Sequence, residues 1–188
     1  NCNVQYSYYL FKKRTDILGK PFLRWTGGKK WLAPEISKLV SRINYIDYHE
    51  PFLGGGSVFF SLSPKNNSFL SDKNYDLINT YKQVKANPTQ IIERLAKFPQ
   101  NKETYYKIRS QNFTSEIDKA TQFIYLNKTS FNGIYRVNRD GNYNVPYGKK
   151  IFNMDFMNDI ITSASKQLEN VYFNSQDFEN IIKKVKRH

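Results

Sequence analysis

The stretch Tyr48-His49-Glu50-Pro51-Phe52-Leu53-Gly54-Gly55-Gly56-Ser57-Val58-Phe59-Phe60 decides how this chain is read. It has the pattern of a buried strand that runs into a glycine turn and then opens a helix. Such a turn lets bare main chain approach a small ligand and aims helix N–H groups at it. A carboxylate, Asp72, closes the next apolar run, Ser68-Phe69-Leu70-Ser71. Its spacing, roughly twenty residues on, suits an acid that accepts hydrogen bonds from ribose hydroxyls. Together these features point to a nucleoside cofactor in an α/β fold. On the glycines alone, a tight turn with a purely structural role stays open.

The glycines do not choose the cofactor. A dinucleotide fingerprint calls for a third glycine where Phe59 stands. Gly27-Gly28-Lys29-Lys30 lacks the upstream glycine and the Ser or Thr of a phosphate loop.

Three further segments narrow the choice. They are Phe22-Leu23-Arg24-Trp25-Thr26-Gly27-Gly28-Lys29, Leu70-Ser71-Asp72-Lys73-Asn74-Tyr75-Asp76-Leu77-Ile78, and Phe131-Asn132-Gly133-Ile134-Tyr135-Arg136-Val137-Asn138 with Tyr143-Asn144-Val145-Pro146-Tyr147-Gly148 behind it. With the glycine stretch, they resemble, in order, the motifs of the Dam-like DNA adenine N6-methyltransferases. The resemblance runs from about Lys20 to the C-terminus. It implies a Rossmann-like methyltransferase core, here with an incomplete sheet, and an inserted helical and β-hairpin DNA-recognition region.

Composition fits a DNA partner. The 188 residues, 39% hydrophobic and 16% aromatic, can build one α/β core. A net charge of +13 and a pI near 9.7 pass the usual threshold for nucleic-acid binding. Lysines and arginines gather at Lys12-Lys13-Arg14, between Lys128 and Lys150, and at Lys183-Lys184-Lys186-Arg187. The middle group is interleaved with Phe131, Tyr135, Tyr143 and Tyr147, so cations for phosphates stand beside rings for bases. No apolar run reaches membrane-span length, and Tyr6 to Phe11 does not read as a signal peptide. The lone Cys2 makes no intramolecular disulfide and fits a reducing, cytoplasmic setting; neither it nor His49 nor His188 suggests a metal site. His49 is expected to be structural.

Along the chain, residues 1–19 read as an extension, 20–97 as the first part of the cofactor core, 98–149 as the inserted recognition region and 150–188 as the return to the core. Trp31, Leu32, Ile36, Leu39, Val40 and Ile43 predict a helix after Lys29. Leu77, Ile78, Tyr81 and Val84 line a second, and Asn87-Pro88 breaks it and starts a third with Ile91, Ile92 and Leu95 inward. Short helices are expected around Tyr105, Tyr106 and Ile108, and around Ile117, Ala120, Phe123 and Ile124 with a start signal at Ser115-x-x-Asp118. Asp140-Gly141 predicts a tight hairpin turn with positive φ angles. Ile160, Ile161, Ala164 and Leu168 return to the core, and Val171-Tyr172-Phe173 is a third strand.

The resemblance implies S-adenosylmethionine as cofactor and duplex DNA, at GATC, as substrate. By it, Trp25, Gly27, Gly28 and Lys29 shape the methionine end, with Lys29 near the cofactor carboxylate. Phe52, Gly54 and Gly56 pass under the cofactor, and Asp72 holds the ribose. Asp177 lies near the adenine, although a helix N-cap before Ile181, Ile182 and Val185 explains it equally well. Arg136 donates to a guanine edge. Ile134 and Pro146 make apolar base contacts, and Phe131 and Asn132 occupy the gap left by an extruded adenine.

The family's catalytic Asp-Pro-Pro-Tyr occurs nowhere in these residues, so no catalytic residue is expected in this chain. A fragment, an interrupted gene and a split enzyme whose second polypeptide supplies the motif each fit. So does a non-catalytic binding subunit or inactive remnant. A fragment would expose unpaired strand edges and apolar surface.

Overall fold

The computed structural model describes residues 17–179. Three strands, β1 (Tyr48–Glu50), β2 (Ser68–Ser71) and β3 (Val171–Asn174), form a parallel sheet in the order β1-β2-β3. Tyr48 pairs with Ser68, and Ser68 with Val171, so the strands start level; at the carboxyl edge β2 and β3 end together at Ser71 and Asn174, with β1 one residue shorter. Parallel pairing requires crossovers. A short helix links β1 to β2, and everything from Asp72 to Asn170 links β2 to β3.

Helix boundaries follow local chemistry. α1 spans Ala33–Val40 and α2 spans Ser57–Leu62. α3 (Tyr75–Ala86) starts where the Asn74 side chain accepts the Leu77 N–H at 3.0 Å. Asn87 ends it, and Pro88, lacking an N–H, opens α4 (Pro88–Ala96). Asn101 caps α5 (Lys102–Ser110) through the Thr104 N–H, and Asn153 caps α7 (Met154–Gln167) through the Phe156 N–H. Between them lies α6 (Glu116–Thr129).

One continuous core joins these elements. Leu70 and Val171 of the sheet pack with Phe59 and Phe60 of α2, Leu77, Ile78 and Tyr81 of α3, Ile124 of α6 and Ile161 of α7, all essentially excluded from solvent. Burying each such side chain contributes about 1.5–3 kcal/mol. The recognition segment shares this core, because Ala120, Ile124 and Tyr125 of α6 pack into it alongside α3. On the other sheet face, His49 stacks on Phe69 (4.8 Å) and Phe69 on Tyr172 (5.1 Å), following the strand register. His49 is thus a packing residue; its buried Nδ1 has no partner among the described residues. No helix among the described residues is long and apolar enough to cross a membrane.

Several expectations need correction. β1 is not a buried strand: it is three half-buried residues on the sheet edge, with one neighbour, β2, among the described residues. The helix after Lys29 forms, but its apolar residues do not all turn inward. Trp31 is 77% exposed, Leu39 63% and Ile43 61%; only Ala33 is buried. The reason is that α1 leans on little besides α2, whereas the periodicity assumed a core alongside it. The helix expected to be short around Phe123 runs fourteen residues, and Ser115 stands at its N-cap without a side-chain cap bond. Ile17, assigned to the extension, is 6% exposed and belongs to the core. Residues 1–16 lie outside the described residues, as does the segment 180–188 with Ile181, Ile182 and Val185.

Candidate cofactor site and nucleic-acid interface

The carboxyl edge of a parallel sheet is where such folds bind ligands, and Phe52, Gly54 and Asp72 of the predicted set lie there. The Gly54 N–H donates to Asp72 Oδ2 at 2.9 Å, and the Asn74 N–H to Asp72 Oδ1 at 2.9 Å. The Leu53 N–H donates to the Ser71 carbonyl, locking the ends of β1 and β2 together. The Asp72 N–H reaches the Asn174 carbonyl at 3.4 Å. Phe52, 69% exposed, meets Phe178 from beyond β3, with ring centroids 5.1 Å apart. That contact brings Asp177, the neighbour of Phe178, toward the same edge. Asp177 Oδ1 accepts the Glu179 N–H at 3.2 Å, as a capping residue does.

On the side where a Cβ would stand, the glycine bend is filled by protein. Gly54 has φ +49, and a Cβ there would stand 2.7 Å from Trp25 Cδ1; a Cβ on Gly56 would stand 2.9 Å from Tyr81 Oη. The bend is therefore backed by protein, and the missing side chains make room for Trp25 and Tyr81. Tyr81 Oη donates to the Gly54 carbonyl at 3.1 Å. Trp25 in turn stacks on Tyr135 (5.5 Å) and Phe123 (6.5 Å), joining the bend to the recognition segment. Gly27, φ +78, is the one open glycine of the predicted set: a Cβ there meets nothing within 4 Å. Lys29 Nζ donates to the Gly27 carbonyl at 3.0 Å on the surface. The Gly28 N–H donates to the Trp25 carbonyl.

Glu50 lies just behind the bend. Burial pushes its carboxyl up to about 7, against the pull of Tyr48 Oη, which donates at 2.8 Å, and of the Phe59 backbone N–H. Phe59 belongs to the first turn of α2, whose N-cap, Gly56, has no side chain to offer. Glu50 supplies that missing acceptor.

The recognition hairpin is pinned at its base. The Phe131 N–H donates to the Pro146 carbonyl, the Gly148 N–H to the Thr129 carbonyl, and Tyr143 Oη to the Ile134 carbonyl at 2.7 Å. Val137 and Tyr143 pair antiparallel. The tip differs from the expected turn. Only Gly141 (φ +80) is left-handed there, not Asp140. The Gly141 N–H donates to the Asn138 carbonyl and the Asn138 N–H to the Asn142 carbonyl, a three-residue loop with a glycine bulge. Asn138 Oδ1 accepts from Asp140 and Asn142 N–H groups and so favours the longer loop. At the base, Asn132 adopts φ +55, and Phe131 beside it is 52% exposed. Arg136 is exposed, its Nε donating to Asn144 Oδ1 at 2.7 Å. Ile134 is half-buried and Pro146 exposed.

Sequence reasoning missed Tyr81 and Glu50 as supports of the bend, and Asn144 as the partner of Arg136. Asn127 was missed too. It accepts the Arg24 N–H at 2.9 Å and donates to the Arg24 carbonyl at 2.8 Å, tying the Trp25 loop to α6. Cross-strand position could have found Asn144; nothing local marks the others.

A parallel sheet thus carries, at its carboxyl edge, an acid clamped to a glycine bend, with a basic aromatic hairpin joined to it through Trp25 and Tyr135. The chain belongs to the D12 class N6 adenine-specific DNA methyltransferase family, which it matches over residues 25–188. It is 38% identical over 183 residues to a type II methyltransferase of Lactococcus lactis subsp. cremoris, covering 92% of this chain and 64% of that protein. It is 39% identical over 181 residues to a type II methyltransferase of Methanocaldococcus jannaschii, covering 85% and 63%. A DNA adenine methylase of Vibrio cholerae is 36% identical over 135 residues, covering 69% and 48%. The chain thus spans less than two thirds of the length of these relatives.

Proposed function

We propose that this chain carries the cofactor and DNA surfaces of an S-adenosylmethionine-dependent DNA adenine N6-methyltransferase that acts on duplex DNA at GATC. The observation that supports this most is the 2.9 Å hydrogen bond from the Gly54 N–H to Asp72 Oδ2 at the carboxyl edge of the sheet. Each Asp72 oxygen accepts one amide and keeps a lone pair, so the carboxylate still has capacity for two ribose hydroxyls. The exposed Phe52 and Phe178 rings offer faces to a purine, and Asp177 offers an acceptor for its exocyclic amine. Trp25, Gly27, Gly28 and Lys29 would border the methionine end, with the Lys29 ammonium for its carboxylate. When bound, the cofactor supplies a methyl group on an electron-poor sulfonium.

On the DNA side, Arg136 would donate two parallel bonds to a guanine edge, worth about 1–3 kcal/mol of discrimination. Ile134 and Pro146 would touch bases, and Phe131 and Asn132 would fill the space of an extruded adenine. The 188 residues hold no Asp-Pro-Pro-Tyr, so this chain by itself is expected to bind rather than turn over.

Duplex binding with S-adenosylhomocysteine present tests the reading. The parent chain should prefer GATC over single-base variants by about five- to 150-fold, the equivalent of that 1–3 kcal/mol. Arg136→Ala should erase the preference at the outer guanine only. Equal affinity of the parent for GATC and every variant would contradict the assignment.

A further inference from the structure

The bridge between Val137 and Tyr143 sets the register of the recognition hairpin. It places Arg136 directly opposite Asn144, whose N–H donates to the Arg136 carbonyl at 3.1 Å, and Ile134 opposite Pro146. Side chains alternate between the two faces of a hairpin. Tyr135 and Tyr143 pack against the core, and Val145 is buried. Ile134, Arg136, Asn144 and Pro146 therefore share the other face. Ile134, Arg136 and Pro146 already have a proposed base contact; Asn144 has none.

Asn144 meets the Arg136 guanidinium along one edge. Arg136 Nε donates to Asn144 Oδ1 at 2.7 Å, and Nη2 reaches the Asn144 carbonyl at 3.4 Å. A guanidinium holds its five N–H groups in a fixed plane. With the side edge taken, Nη1 and the second N–H of Nη2 form the end edge, and Nη1 makes no hydrogen bond among the described residues. Asn144 is itself held in place. The carbonyl of the next residue, Val145, accepts Tyr105 Oη at 2.8 Å and Arg109 Nη1 at 3.1 Å, both from α5. The exposed guanidinium is thus tied, through Asn144, to a strand fixed on a helix. A long side chain ordered before binding has less freedom to lose on binding.

We propose that Asn144 is a positioning residue for guanine readout: it holds the side edge of the Arg136 guanidinium and leaves the end edge to donate two parallel bonds to O6 and N7. This rests on the DNA reading above.

Asn144→Leu keeps the bulk and removes the acceptor; Asn144→Asp keeps the acceptor. By nuclear magnetic resonance of the free chain, the Arg136 Nε–H signal should stand apart from those of exposed arginines in the parent and in Asn144→Asp, and join them in Asn144→Leu. The preference of Asn144→Leu for GATC over duplexes altered at the outer guanine should fall about two- to tenfold, the cost of ordering one long side chain on binding. Its preference at the inner bases should hold. Asn144→Asp should keep the outer-guanine preference while binding every duplex more weakly, because its charge meets the phosphates. In an Arg136→Ala background, Asn144→Leu should change nothing further. An equal loss on GATC and scrambled duplexes, a loss that persists without Arg136, or an Nε–H signal indifferent to Asn144→Leu overturns the role. A parent with no preference at any base removes the DNA reading, and this role with it. A parent that prefers GATC, matched in that preference by Asn144→Leu, removes the role alone.

Discussion

Asp72 and Glu50 are two carboxyl groups near the glycine bend with different partners. Asp72 takes two backbone amides and has oxygen lone pairs to spare. Glu50 is pushed by burial to about 7 from an ordinary 4.5. The folded chain therefore holds a proton between these values that the unfolded chain has released. The stability this gives is full below 4.5 and is lost as pH rises through about 7, a swing of about 3 kcal/mol. Glu50→Gln stays neutral throughout. Urea unfolding of parent and variant should show their stability difference shifting toward the variant from pH 4.5 to 8; parallel curves would refute it. Asp72 was legible from spacing after a glycine turn. Glu50 was visible as a residue but not as a group with a raised pKa, because Tyr48 and the first turn of α2 enclose it only in three dimensions.

At the scale of elements, the β1–α2 bend shows what the missing side chains of its glycines leave room for. Three glycines promised open main chain, yet Gly54 faces an indole while Gly27, in the surface loop, faces open space. Both have positive φ, so alanine strains both by about 1–2 kcal/mol. Only Gly54→Ala also meets Trp25, adding about 1–3 kcal/mol of overpacking. Chemical denaturation should find Gly54→Ala clearly less stable than Gly27→Ala, and equal losses would mean the indole yields freely. The helices from α3 to α7 were readable because their caps, prolines and apolar spacing act locally. The α1 face was misread because periodicity records which residues could be buried, not what stands opposite. The hairpin was placed correctly, and its loop was missed because Asn138 competes for the turn amides that an Asp-Gly turn would leave free.

At the scale of the whole molecule, the gathering of Phe52, Gly54, Asp72 and Asp177 at one edge follows from parallel strands that share a carboxyl edge. Strand order itself was not legible, since it depends on pairings between residues as distant as Ser68 and Val171. The chain combines a charge of +13 with exposed Trp31, Leu39, Ile43 and Ile46. A charge of this sign and size suits a polyanion. The proposed cofactor residues and the hairpin proposed to face DNA are joined at the clamped bend, through Trp25 and Tyr135. Calorimetric titration of S-adenosylmethionine into the 188-residue chain therefore bears on the reading most directly. One-to-one saturable binding, weakened about tenfold or more in Asp72→Asn by loss of a charged acceptor worth roughly 1.5–3 kcal/mol, is expected. A folded parent that takes up no cofactor, or an Asp72→Asn variant that binds it equally well, would contradict the assignment.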